Sequence, residues 1–326
     1  MKLIPALLAS AITLLTIQAA SAHEYDGLMK AKKYAEAEKA ANAKLSTDAN
    51  NADALLVKAE LILVEGKTEK LDEAAKYAEL CVSAHPQLSE CHEMLGNVLG
   101  TKALSGGMLA AMSYAGKIRD AYIKAVELDP KNYSARSSLL QYYLQAPAIA
   151  GGGKSKAQNL VIETAKVNST AGNLLQANMD LADDKFASAE TAALSAIPGN
   201  TESLSRMQRS VLYSIGASYV QQKKFTDAER VFGELLQRYP DKYQGAFGMG
   251  RSMQEQGKFK EAISWFEKAQ TLDSNAGIYY RLAQCLQATS DKPRAISYFE
   301  KALSFKPALS KKLRADAEDQ LKALKA

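Results

Sequence analysis

Histidine is scarce in this chain of 326 residues: only His23, His85 and His92 occur. With three histidines in total, no Ser/His/Asp or Cys/His arrangement for nucleophilic catalysis is convincing. Carboxylates are numerous but scattered at helical spacing, which suits solvated faces with partners four residues away. The residues therefore offer no basis for an enzyme. Only 8 prolines are present, in a chain rich in Ala, Leu, Lys and Glu, which favours helices over loops. Neither sign of charge predominates. Lys and Arg number 41 against 36 Asp and Glu, a net +5 spread over the length. No basic block interleaves with aromatics, so a nucleic-acid interface is not indicated. The basic C-terminal positions Lys306, Lys311, Lys312, Arg314, Lys322 and Lys325 read as one solvated helix face.

Beyond residue 22 no apolar run is long enough to span a bilayer. Residues 1–22 have the form of a secretory signal. Lys2 is the only charge, Leu3 to Ile17 is largely apolar, and Ala20-Ser21-Ala22 fits the small-x-small cleavage rule. The mature chain is expected to begin at His23, with no integral span, in the bacterial periplasm. No cysteine lies near the cleavage point, so a lipid anchor is not indicated. A terminal His23 could chelate copper through its amine, but a plain chain end explains it as well.

The strongest pattern is an internal repeat. Ala228, Ala262 and Ala295 recur at intervals of 34 and 33 residues. Each is followed four residues later by Phe232, Phe266 or Phe299, and seven later by Leu235, Ala269 or Ala302. Twelve residues earlier stand Gly216, Gly250 and Ala283. Small residues are needed where two helix backbones approach, and a ring fills the gap beside them. With Tyr219, Pro240, Tyr279, Leu282 and Pro307, the pattern resembles the tetratricopeptide repeat, strongly over 209–309. The resemblance implies an all-α, right-handed superhelical solenoid of helical hairpins that binds partners rather than transforming them.

Residues 23–197 carry the same rhythm more weakly. Tyr34 and Ala37, then Ala74, Ala78 and Pro86, then Leu95-Gly96, Tyr122, Ala125 and Pro130, then Leu139, Ala157 and Val161 mark successive hairpins. A degenerate hairpin around Phe186 and Ala189 precedes a break at 198–203. Three regular repeats fill 203–309, and 310–326 reads as a charged capping helix. The count is seven or eight hairpins. Two of them are over-long, and the surplus falls between their two helices, at 101–117 and 145–155. Stacked in register, both insertions should emerge at one edge. The second, Gln145 to Lys154, is similar to a loop of exported proteobacterial tetratricopeptide proteins of undefined role.

Four features could carry chemistry. Residues 148–155 (Ala-Ile-Ala-Gly-Gly-Gly-Lys-Ser) loosely match a phosphate loop, but a helical segment precedes them where a strand is required. A nucleotide-binding regulator or enzyme is thus an alternative reading. Cys81 and Cys91 lie five residues either side of Pro86, so antiparallel helices would bring them opposite each other. A disulfide, two buried thiols, or a zinc site with His85 and His92 are all open. In the repeat register, Tyr213, Phe247 and Tyr280 share one position on successive first helices. The resemblance places this position on the concave groove. Arg251 and Gln284, then Gln254 and Gln287, follow on the next turns, a set suited to an extended peptide. The alternative is that the rings cover the core. Last, the edge insertions carry Met108, Met112, Tyr114, Pro147 and Ile149, with Leu104 and Leu109, which suits adaptable apolar contacts unless the insertions pack on each other. The reading is a non-catalytic protein-interaction scaffold with a protein or peptide partner and no cofactor or metal. A self-assembling envelope protein is a further alternative.

Overall fold

The structure is a computed structural model that describes residues 25–66, 68–305 and 309–326. The secretory-signal residues and His23 lie outside the described residues, as does Pro307. Seventeen α-helices follow one another among the described residues. They pair as eight antiparallel hairpins: α1 (Asp26–Lys30) with α2 (Tyr34–Thr47), α3 (Ala52–Glu65) with α4 (Leu71–Ala84), α5 (Ser89–Ser105) with α6 (Gly107–Leu128), and α7 (Tyr133–Gln145) with α8 (Lys154–Val167). Then come α9 (Ser169–Ala182) with α10 (Phe186–Ser195), α11 (Glu202–Gln221) with α12 (Phe225–Arg238), α13 (Tyr243–Glu255) with α14 (Phe259–Leu272), and α15 (Ala276–Ala288) with α16 (Lys292–Ser304). The closing helix is α17 (Lys311–Lys325).

Local sequence starts and stops these helices. Asn51, Asn132, Asn168 and Asn275 cap four of the first helices, each side-chain oxygen accepting from the N–H three residues on. Each such cap is worth about 1 kcal/mol. The turn inside a hairpin is equally uniform. Lys32, Gly66, Asp184, Lys223, Gly257 and Ser290 all adopt left-handed backbone at the end of a first helix. In five of these turns the next N–H donates back over the last turn, as Lys224 does to the Tyr219 carbonyl at 2.9 Å and Lys258 to Met253 at 2.9 Å. The third and fourth hairpins lack this turn, and they are the two whose spacing is irregular.

Packing follows the small-large logic. Phe232, Phe266 and Phe299 are completely buried. A Cβ added to Gly250 would sit 2.6 Å from the Phe266 ring, so the aromatic occupies the space that glycine leaves. First helices touch first helices of neighbouring hairpins (α3 with α5, α7 with α9, α11 with α13, α13 with α15), whereas second helices pack chiefly on first ones. The first helices therefore line the inner, concave side. Lys32, in the first hairpin's turn, donates to the Ser274 carbonyl at 2.7 Å and pairs with Asp273. The curvature thus carries the N-terminal end round to the connection between α14 and α15.

The expected insertion at 101–117 is corrected. Its residues do not lie between the helices but lengthen them. The helix α5 has 17 residues and α6 has 22, against 13 and 14 in the pair α13–α14. Only Gly106 separates α5 from α6. The extra turns carry this hairpin about 6–12 Å past its neighbours, at 1.5 Å per residue.

Candidate functional site

The groove of the regular repeats is built from the inward faces of α11, α13 and α15. Tyr213 and Phe247 are partly buried, and their rings stack with centroids 6.1 Å apart. Each also rests on a core ring, Tyr213 on Phe232 at 6.0 Å and Phe247 on Phe266 at 5.5 Å. Both rings thus pack on the core, as the second reading of them has it, while each keeps part of its surface exposed. Arg251 donates to the Tyr213 hydroxyl at 3.0 Å, which fixes that ring. Its buried Nε has no hydrogen-bond partner among the described residues.

Tyr280 does not continue the row. It is buried, and its hydroxyl donates to Asp316 of α17 at 2.6 Å. Burial first, then the hydrogen bond and charge of Asp316, push this phenol up to about 12. Gln287 is tied to α17 as well, donating to Gln320 at 2.9 Å. Both were expected to face a partner, and both lie beneath the capping helix instead. The signal was out of reach of the repeat register, because it sits 36 and 33 residues further along, outside the pattern.

The remaining polar groove residues form a chain. Gln284 donates to the Tyr280 hydroxyl at 2.7 Å, Gln254 donates to Gln284 at 3.2 Å, and Arg281 donates to Gln254 at 3.1 Å. Arg281 was not singled out from sequence, since it follows the ring position by one residue. Burial, then the positive charge of Arg251, hold its guanidinium below the usual arginine range. The half-exposed Glu255 carboxylate lies 3.7 Å from it. Beside this pair a cleft of about 520 Å³ is lined by Ala217, Val220, Gln221, Arg251 and Glu255. Two guanidiniums facing one solvent-exposed carboxylate leave the groove floor cationic.

At the edge, the two irregular hairpins flank an open cavity of about 560 Å³. Met112 and Pro147 line it with Ala103, Leu104 and Ile118, while Tyr142 donates to the Ala150 carbonyl at its rim. The insertions therefore meet, but not by packing flat. Leu104, Met108, Leu109 and Ile149 remain exposed. Tyr114 instead turns inward onto the local core, with the Lys102 ammonium 5.2 Å from its ring centre.

The loop at 148–155 does not form a phosphate cradle. Helix α7 precedes it in place of a strand, and its three glycine N–H groups are already bonded: Gly151 donates to Ala148, Gly152 to Pro147 and Gly153 to Tyr143 at 2.8 Å. Gly153 has φ +135, a conformation that side-chain-bearing residues rarely adopt. Lys154 pairs with Asp183 at 2.6 Å. Cys81 and Cys91 are joined in a disulfide between α4 and α5, and Cys285 is a buried free thiol. His85 bonds the Asn50 carbonyl and His92 the Pro86 carbonyl at 3.0 Å, so neither joins the cysteines in a zinc site. Among the described residues no group of His, Cys, Asp and Glu could hold a metal ion. No described helix is long and apolar enough to cross a membrane.

Comparison with known proteins agrees with this architecture. Residues 213–277 and 276–309 match tetratricopeptide repeat family models. No curated protein matches the sequence significantly. Among solved structures the chain is similar to yeast Tom70 (16% identity, TM-score 0.56, 85% of this chain and 57% of that one). It also aligns with a tetratricopeptide repeat protein of Parabacteroides merdae (16% identity, TM-score 0.44, 93% and 96%) and with Pseudomonas aeruginosa pilF (16%, TM-score 0.38, 77% and 90%). Residues 213–309 are thus tetratricopeptide repeats, and the described residues as a whole form an all-α solenoid. Repeats of this kind form protein–protein interaction scaffolds.

Proposed function

We propose that this protein is a non-catalytic scaffold of the bacterial periplasm, holding an extended, acid-bearing segment of a partner protein along its groove. The observation that carries the reading is the stacked Tyr213–Phe247 pair beside Arg251 and Arg281. Rings supply contact area at low entropic cost, and guanidiniums recognise carboxylates through paired donors. The periplasmic assignment rests on the pattern of residues 1–22, and the Cys81–Cys91 bridge suits an oxidising compartment.

The competing readings draw less support. The Gly-rich loop follows a helix rather than a strand, and its glycine N–H groups are already bonded to nearby carbonyls. End-to-end assembly would require α17 to bury Lys311, Lys312, Arg314 and Lys322 against another copy, and it is the charged end of the stack. Affinity capture from periplasmic extract tests the groove reading. The wild type should retain a protein partner that a Tyr213→Ala/Phe247→Ala variant and an Arg251→Ala variant, both still helical by circular dichroism, retain at least about tenfold less, as expected when anchor residues are lost. Equal retention by all three would defeat the proposal.

A further inference from the structure

The tip of the α5–α6 hairpin is unlike the rest of the surface. Leu104 and Met108 are each 84% exposed and Leu109 87%, and Ile149 of the neighbouring loop is 87% exposed. Soluble proteins scatter such side chains singly; here they cluster on one protruding edge. The tip and the loop belong to one unit, since both line the 560 Å³ cavity and Gly151 abuts the Arg119 guanidinium.

Charge is distributed just as unevenly. The chain has 36 acidic residues, yet none falls between Met94 and Arg119, and none between Pro130 and Ile162. Those two runs build the tip, its stem and the adjoining loop. Residues 103–116 carry no charge at all. Behind them stand Lys102, Lys117, Arg119, Lys154 and Lys156. Asp72, Asp120 and Asp183 reach in from outside the acid-free runs to pair Lys102, Arg119 and Lys154, leaving the collar with excess positive charge.

We infer that this tip is a membrane-surface anchor, which inserts Leu104, Met108, Leu109 and Ile149 into the interface of an anionic phospholipid bilayer. The collar then meets lipid phosphates. An overhang of about 6–12 Å matches the about 5–10 Å to which interfacial apolar groups sink. Cations set behind an uncharged apolar tip complement a negative headgroup layer. The anchor does not depend on the groove. It would hold the scaffold at a membrane while the concave face stays open.

Vesicle flotation tests it with the protein as purified, its N-terminus fixed by mass spectrometry. The wild type should float with vesicles of phosphatidylethanolamine and phosphatidylglycerol, and much less with pure phosphatidylcholine. Raising the salt should weaken flotation, because exposed charges are screened. Leu109→Glu and Met108→Glu sit at positions too exposed to disturb folding, and each should reduce binding about tenfold or more, as expected for losing one buried apolar side chain. Lys117→Gln/Lys156→Gln should weaken only anionic vesicles. Phe247→Ala, in the groove, should float like wild type, which separates this anchor from partner capture. A wild type that stays with the dense fraction, or a Leu109→Glu variant that floats unchanged, would overturn the inference. So would light scattering that shows a dimer dispersed by Leu109→Glu without lipid binding, since the tip would then belong to a protein interface.

Discussion

Replacing Phe247 with Ala, beside Phe266→Ala as a reference, asks what the groove rings are for. The two side chains touch, with ring centroids 5.5 Å apart, yet they differ in surroundings. Phe266 is fully enclosed, so its loss leaves a cavity among Ala246, Ile278 and Leu282. Truncations of that kind cost about 3–5 kcal/mol. Phe247 is open on its groove side, where water can fill the space and the cavity penalty falls away. Its core-facing area is worth about 2 kcal/mol at roughly 25 cal/mol per Å² for a ring of about 150–250 Å² that is incompletely buried. The single tryptophan, Trp265, packs in the same cluster and reports this hairpin directly. Urea titration followed by Trp265 fluorescence should therefore show a midpoint shift for Phe247→Ala about half that of Phe266→Ala. Partner capture should fall more steeply for Phe247→Ala. Equal destabilisation by the two variants would place Phe247 in the core and remove the groove's anchor.

Under denaturing, non-reducing conditions one titratable thiol, that of Cys285, should be found; three would refute the Cys81–Cys91 bridge. Cutting that bridge by Cys81→Ser/Cys91→Ser should cost about 3 kcal/mol from loop-closure entropy, read as a lower urea midpoint. Tyr280 is held protonated by burial and then by Asp316, with its hydroxyl at about 12. A phenol whose folded value lies above its unfolded value of about 10 stabilises below pH 10 and loses that contribution as pH rises toward 12. The C-terminal end should accordingly loosen in that window, seen by hydrogen exchange, and Tyr280→Phe should abolish this step. Lys154→Ala should remove only its solvent-screened ion pair to Asp183, leaving the urea midpoint nearly unchanged, and calorimetry should detect no ATP binding by either form.

Much of the solenoid was legible because its repeat depends on local rules. Gly250 opposite Phe266 and the alanines around Phe232 declare close helix packing wherever they recur. The hairpin turns could have been read further: Lys32, Lys223 and Ser290 occupy one register position with Gly66 and Gly257, yet lack the glycine that would flag left-handed backbone. The insertion at 101–117 was located but misjudged. Its Ala, Leu and Met content continues the helices, and the Gly106-Gly107 pair, set within a span that reads as extra, supplies only the bend. At the groove, register placed Tyr213 and Phe247 correctly on one face but could not foresee that α17 folds over Tyr280. That contact depends on Asp316, which belongs to no repeat. Arg281 escaped for the related reason that its inward aim is set by Gln254 on the neighbouring hairpin.

The scaffold reading is tested most directly by photo-crosslinking in intact cells. A benzophenone residue at Ala217, in the groove cleft, should crosslink a discrete protein partner, and one at Lys268, on the exposed side of α14, should not. Crosslinks of equal yield from both positions, or none from Ala217 while the protein remains folded, would contradict it.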